Sequence, residues 1–389
     1  MPVKLGGSAG GSNPPLIPDV LLTVSTTWSP PYKVKALVRV FGAGGGGGIC
    51  NTRGGGISNS YLWAATGGGA GEHAGSILEL DPSVTYTIVA GAGGAKKSRN
   101  SDGGATGNAG GLSRFSGSDI TTITANGGGG GLVTQFEVIA NAGTRSGAAG
   151  GTGGAGELYC YTGGAAGSIT KPANALVSNV CILTGGGSVG IFNTGFPSGS
   201  VTFFTGASDR TIASGGGGVN GAGGNVTADT VAGRATWGGS TFGPGGNNDY
   251  YSAPGFGLAS HLSPAPVYPD TDAYEATIDF WNGGSLMQRI NHTFTTTEKT
   301  MSPPGSGGKG CTTNDSNDAW SSGANLFGGG GGWATYGGGM GSNWQFMAGG
   351  KIGGGGGAGG MAAHSGSIPA YSGMGGQGCV LIEMLERIA

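Results

Sequence analysis

Charge is scarce in this chain. Its 389 residues include 18 Lys and Arg against 20 Asp and Glu, a net charge of −2. The basic residues form no patch, so the electrostatic footprint of a nucleic-acid binder is missing. No run of 18 apolar residues occurs, and hydropathy therefore gives no membrane-spanning helix. Residues 1–22 lack a basic stretch followed by an apolar segment, so no secretory leader is expected. The four histidines (His73, His261, His292, His364) stand alone, without H-x-x-x-H or H-E-x-x-H spacing. The cysteines (Cys50, Cys160, Cys181, Cys311, Cys379) are odd in number, far apart and without a C-x-x-C pair. They are expected to be reduced, small and buried, which fits synthesis in a reducing cytoplasm.

Glycine is what the chain has instead: 94 residues, with 17 prolines besides. Such a composition usually signals disorder. Disordered chains, however, are charged and poor in aromatics, whereas this one is 10% charged and 8% aromatic with seven Trp. Glycine loses more backbone entropy on folding than any other residue and has no side chain to bury. Order must then come from main-chain hydrogen bonds between closely packed backbones. Polyglycine helices of the polyproline-II type provide this, because they have three residues per turn and leave every amide pointing outward. Collagen is excluded, since no strict G-x-y period runs through the tracts.

The pattern along the chain is strand, tract, strand. Residues 1–20, with Gly6-Gly7, Gly10-Gly11, Pro14-Pro15 and Pro18, read as an extended docking arm. A β-branched stretch from Leu21 to Thr27 leads to Trp28, which is expected in the core near the first strand. Val34, Ala36, Val38 and Val40 then alternate with Lys35, Leu37, Arg39 and Phe41, a strand with one face buried. It runs into the glycine block of residues 44–48. Ser76 to Leu80 and Thr85 to Ala90 flank the turn Asp81-Pro82-Ser83 and read as a strand pair. Further tracts recur to residue 357, and Cys379 to Leu385 forms a closing strand. No helix-period segment of convincing length precedes the last few residues.

Three stretches resemble the glycine-rich domain of bacteriophage tail-fibre and tail-tip adhesins. They are LLTVSTTWSPPYKVKALVRVFGAGGGGG (residues 21–48), GGGAGEHAGSILELDPSVTYTIVAGAGGA (67–95, similar to that family's next hairpin) and GGQGCVLIEML (375–385, its closing strand). GGATGNAGGLSRFSG and ANGGGGG lie between them in the same order. The resemblance covers about 110 residues at the front and a short piece at the end; residues 132–300 match no pattern of the family. It implies a mainly β fold in which short strands bracket a lattice of packed polyglycine-II-type helices, with very little α-helix. It also implies host recognition at a phage tail tip, with specificity in the segments between tracts and a homotrimeric fibre or a monomeric cap as the assembly.

The expected organisation is an arm (1–20) followed by one glycine-rich adhesin domain (21–389). That domain divides into a family-like front (21–131), variable aromatic loops or an insertion (132–300), and a final set of tracts with the closing strand (301–389). The tracts are represented by Gly44, Gly46, Gly129, Gly216, Gly330 and Gly355 as scaffold positions, and a Val at Gly129 or Gly330 is expected to destabilise the fold. Tyr and Trp give large contact area at low entropy cost and dominate interfaces. Those beside Asn, Asp and Gly in the loops, or in the acidic segment, are the receptor-contact candidates: Tyr250, Tyr251, Trp281, Trp333, Tyr336 and Trp344. Half or more of the chain's aromatics can equally plug the rims of the scaffold.

Catalysis has little support. Glycoside hydrolysis needs two carboxylates facing each other across a bond, and the one dense acidic cluster is Asp270, Asp272, Glu275 and Asp279. It reads first as a solvated loop leading into a strand, and second as a calcium site at Asp270 and Asp272. G-x-G-x-x-G matches are inevitable here and none opens a βαβ unit, while Gly310 stands where a P-loop needs Ser or Thr. The expectation is a non-enzymatic receptor-binding protein of the virion's distal tail. It needs no cofactor or metal, and its partners are a bacterial surface protein or glycan and other tail proteins. A structural tail component and a polysaccharide-degrading tail protein are the alternatives, with an ice-binding protein a distant further one.

Overall fold

Strands and glycine tracts alternate along the chain, and the tracts carry it back and forth between two groups of sheets. The computed structural model describes residues 19–53, 61–99, 101, 103–137, 142–171, 178–191, 193–203, 208–219, 221–228, 234–235, 249–250, 274–282, 285–294, 311–313, 327–330, 332–336, 352–364 and 370–388. Among them every regular element is a strand, no helix occurs, and the sheets do not close on themselves.

One end of the molecule is a sandwich. Its larger sheet has the order Val20–Leu22, Cys379–Arg387, Val34–Phe41, His73–Leu80, Tyr159–Tyr161, all antiparallel. The smaller sheet has the order Ile123–Ala125, Ser113–Ser116, Tyr86–Val89, Thr26–Trp28, also antiparallel. The alternation read in the sequence places Val34, Ala36, Val38 and Val40 on one face of the larger sheet. They pack there with Leu78, Leu80, Val380 and Ile382 against Tyr86, Ile88, Phe115 and Ile123 of the smaller one. The rings of Tyr86 and Phe115 stack at 5.2 Å. Trp28 is half-buried at the rim of this core, tilted against Tyr86.

The pair read at 76–80 and 85–90 is not a hairpin. His73–Leu80 and Tyr86–Val89 belong to different sheets, and the turn between them is the corner of the sandwich. Apolar residues explain this: Leu78 and Leu80 on one strand and Tyr86 and Ile88 on the other point into the same core. Asp81 fixes the corner by accepting bonds from the Ser83 N–H and hydroxyl at 2.8 and 2.6 Å. Tyr86 accepts from the Asp81 N–H and donates to Asp119, both at 2.8 Å.

From this sandwich the chain enters the glycine tracts. Residues 42–48 leave the Val34–Phe41 strand and form no hydrogen bonds among themselves. Instead the N–H groups of 42, 45 and 48 donate to the carbonyls of 72, 69 and 66. Those of 43 and 46 donate to 111 and 108, and those of 44 and 47 to 376 and 373. The donors thus point in three directions with a period of three residues. The same tract accepts from three others: from Gly128 and Gly131, from Gly356 and Gly359, and from Gly94. Residues 66–72 repeat the scheme, donating to 132, 129 and 126, to 356 and 353, and to 164. Buried main-chain groups are paired in this way without side chains.

The backbones approach so closely that a Cβ has no place. An added methyl at Gly44 would fall on the carbonyl oxygen of Gly354, at Gly216 on that of Gly329, and at Gly355 on that of Gly68; Gly46 would meet Ala95 O. Gly330 accepts from Gly186 and donates to Gly355. Gly129 is more open, with its nearest backbone atom, Ala149 O, at 3.2 Å.

At the far side of the tracts lies the second group of sheets. Here parallel pairs are common. Ile49–Arg53 pairs with Gly359–His364, and that strand with Trp333–Tyr336, all parallel. Ser178–Leu183 pairs parallel to Tyr61–Ala65 and to Ser208–Ala213. Parallel pairing follows from the tracts: each partner leaves or enters a tract in the same direction.

Candidate functional site

The two ends differ in what their connections do. At the sandwich end the chain turns back in short links. Gly190 lies in one of these, and Gly218 and Gly221 bridge another. Phe327 and Ile352 sit at the same end, before the tracts that follow them. Phe327 takes a left-handed φ of 66°, uncommon outside glycine, and is held there by stacking on Phe41 at 5.1 Å. At the opposite, loop end, the next strand in the chain often belongs to the same end, as Ile49–Arg53 is followed by Tyr61–Ala65 and Ile169–Lys171 by Ser178–Leu183. The connections after Tyr250, Thr313 and Tyr336 also start there.

Three of the receptor-contact candidates, Tyr250, Trp333 and Tyr336, lie in strands of the sheets at this end. Tyr250 lies in the two-residue strand Asp249–Tyr250, opposite Arg234. Trp333 and Tyr336 begin and end a strand inside the neighbouring sheet, with Trp333 opposite Cys311 and Gly359 and Tyr336 opposite Ala362. The sheets carrying Tyr250 and Trp333 pack against each other. Trp281 lies in Tyr274–Asn282, which pairs with Ser285–Phe294, and the register shifts between Phe280 and Trp281. Tyr251 and Trp344 lie outside the described residues, as do the side chains of the other four.

The acidic cluster divides in the same way. Asp270 and Asp272 lie outside the described residues, whereas Glu275 stands opposite Thr293 and Asp279 opposite Arg289 in the hairpin register. Among the described residues no group of three or more His, Cys, Asp or Glu could hold a metal ion. No helix among them is long and apolar enough to cross a membrane.

One constellation was not visible in the sequence. On the face of the larger sheet turned away from the sandwich core, Arg39 Nε donates to Glu383 at 2.6 Å. Arg39 also donates to the Tyr159 hydroxyl at 2.9 Å. That hydroxyl lies 2.9 Å from His73 Nε2, and His73 Nδ1 lies 2.9 Å from the Gly190 carbonyl. The network assigns the tautomer: Nδ1–H donates to Gly190, and Nε2 accepts from Tyr159. Gly75 makes room for the Tyr159 ring, which a Cβ at that position would strike.

Burial sets the charges in this cluster. It pushes His73 down to about 3, with Arg39 adding to the effect, so the imidazole is neutral. Burial pushes the Tyr159 hydroxyl up to about 12. It also raises the Glu383 carboxyl, against the opposing pull of Arg39. The polar atoms that would do chemistry are engaged with one another, so the arrangement braces the sheet against the turn at Gly190. Residues 39, 73, 159 and 383 share no local spacing, and no sequence signal connects them.

Of the cysteines, Cys50, Cys181 and Cys379 are buried free thiols as expected. Cys160 is not buried: in the short edge strand Tyr159–Tyr161 the two tyrosines turn onto His73 and leave the middle residue exposed. Cys311 lies in a strand whose side chains are outside the described residues. No protein-family model matches this chain, and no curated protein is similar to it.

Proposed function

We propose that this chain is the receptor-binding protein of a phage tail tip, attaching the virion to a bacterial surface protein or glycan without catalysis. The observation that carries the reading is the separation of the two ends. Residues 19 and 388 both lie at the sandwich end, where Asp19 accepts from the Met384 N–H and Ile388 donates to Lys33. The connections after Tyr250, Thr313 and Tyr336 start at the other end, beyond the tracts. An adhesin needs this polarity: a closed end for other tail proteins and an open end for the receptor. The resemblance of residues 21–131 and 375–385 to tail-fibre adhesins points the same way.

The tracts between the ends form a polyglycine-II lattice in this reading. Its support is the three-residue period of donors in 42–48 and 66–72, the absence of bonds within a tract, and the mixture of parallel and antiparallel neighbours. A threefold helix rises about 3.1 Å per residue, so a seven-residue tract holds the ends roughly 20 Å apart with almost no side chains. Docking runs through the sandwich end and the arm of residues 1–20, as a homotrimer or as a single cap.

The test is to replace residues 244–300, which hold Tyr250, Tyr251 and Trp281, with a short Gly-Ser linker. Binding to host cells is expected to weaken by more than about tenfold, the scale of losing interface aromatics, while the melting temperature stays unchanged. Binding that survives in a folded variant would turn the reading toward a structural tail component, with these aromatics as subunit contacts.

A further inference from the structure

Two of the buried thiols touch. Cys50, in Ile49–Arg53, and Cys181, in Ser178–Leu183, are 131 residues apart in sequence, and each is 0% exposed. Their sulfurs are 3.3 Å apart. The strands belong to different sheets of the loop end, and both lead directly into or out of a tract. The thiols share a small apolar cluster with Ala65, Leu183, Ala213 and Ala358, under Trp63 and Val133. Their other contacts are weak: Cys50 to the Trp63 carbonyl at 3.7 Å and Cys181 to the Cys50 carbonyl at 3.6 Å. Nothing in that cluster competes for the sulfurs, and closing to a disulfide requires them to approach by only about 1.3 Å.

We propose that Cys50 and Cys181 are an oxidisable pair, which a small peroxide-class oxidant closes into a disulfide that ties the two sheets together beneath the loops. The chemistry balances with hydrogen peroxide. One thiolate attacks a peroxide oxygen and breaks the O–O bond, giving a sulfenic acid and hydroxide, which takes up a proton as water. The second sulfur then attacks the sulfenic sulfur and expels a second water. Two thiols lose two electrons and two protons, and one peroxide becomes two waters. A glutathione disulfide is too large to reach sulfurs with no exposed surface, so the closing reagent is small. Burial also holds the Cys181 thiol well above the usual thiol range, which keeps thiolate scarce and the reaction slow. The reduced pair therefore persists through folding and closes on longer exposure to oxidant. The pair behaves in the same way whatever the loops bind.

The experiment treats the folded, full-length protein with hydrogen peroxide. Samples are quenched in acid, alkylated in denaturant, and examined by intact mass and peptide mapping. Of the five cysteines, two should escape alkylation, and one linked peptide should join Cys50 to Cys181. The oxidised sample should melt higher than the reduced one, and the difference should vanish after reduction in denaturant and refolding. Cys50→Ser and Cys181→Ser should each abolish the linked peptide. Should either fail to fold, a Cys160→Ala, Cys311→Ala variant keeps the pair and should fall from three alkylated thiols to one. Oxidation confined to Cys160, sulfinic acid on Cys50 or Cys181 without a linked peptide, or equal melting temperatures with the bond formed would overturn the proposal.

Discussion

The sandwich end and the loop end are built from the same kind of strand, yet they are stabilised differently. At the sandwich end, antiparallel strands bury an ordinary core of Val, Ile, Leu, Tyr and Phe, and short turns close it. At the loop end, parallel pairs recur, and the buried side chains among the described residues fall into separate clusters. The tracts between them have almost no side chains and depend on main-chain bonds. The difference teaches that the scaffold separates tasks. Side-chain packing sets one end, and backbone geometry fixes its spacing from the other. Loops carried on a rigid scaffold are where recognition usually resides.

Several substitutions can break this comparison. The largest effect is expected in the tracts. Gly45→Ala puts a methyl on the carbonyl oxygen of Gly129, and neighbouring tracts must move apart to admit it. The expected cost is about 3 kcal/mol or more, read as loss of the folded fraction in a thermal melt. A Gly45→Ala protein that melts like the parent would mean that the tracts are not packed backbone to backbone. Next comes Phe115→Ala in the sandwich, where the ring is fully buried against Tyr86. Urea titration should show about 3–5 kcal/mol lost, with the whole chain destabilised if both ends form one cooperative unit.

The pH dependence is smaller over any one pH unit and has a definite sign. His73 is depressed from 6.5 to about 3, so the unfolded chain binds the proton more tightly than the folded one. The stability this contributes is complete above pH 6.5 and is lost as pH falls toward 3. The expected slope from this group is about 1.4 kcal/mol per pH unit. His73→Gln removes the titrating group, and its stability should vary less over that window, even though its absolute stability is lower. An identical pH profile in the variant would show that His73 is not the group responsible. The smallest effect is expected at Gly129. With the nearest backbone atom at 3.2 Å, Gly129→Ala should cost under about 1 kcal/mol, far less than Gly45→Ala. Gly129→Val is correspondingly a weaker probe of the tracts than the glycine run alone suggests.

Much of this architecture was legible in the residues, because it follows from local rules. The alternation from Val34 to Phe41 marks a strand and its inward face, and Cys379 to Leu385 marks the strand that pairs with it. The glycine blocks announce close backbone approach. What the residues did not show depends on contacts distant in sequence. The turn at Asp81 looks the same whether its two strands pair or divide between two sheets, and only the shared core of Leu80 and Tyr86 decides for the corner. The bracing network of Arg39, Tyr159, His73 and Glu383 and the contact of Cys50 with Cys181 arise from folding alone. The period of three within 42–48 is likewise invisible in a tract where nearly every residue is glycine. It emerges only when the carbonyl partners at 66–72, 108–111 and 373–376 are known. Recognition is the least legible part. Tyr and Trp serve rims and interfaces alike, and Tyr159 proves to be a rim residue holding His73.

The most direct test of the account is saturation binding of the purified, fluorescently labelled chain to intact cells of candidate host strains, measured together with competition for adsorption of the phage. The account predicts saturable binding to susceptible strains only, and a matching block of adsorption by excess protein. A folded and correctly assembled chain that binds no susceptible strain and leaves adsorption unchanged would contradict it.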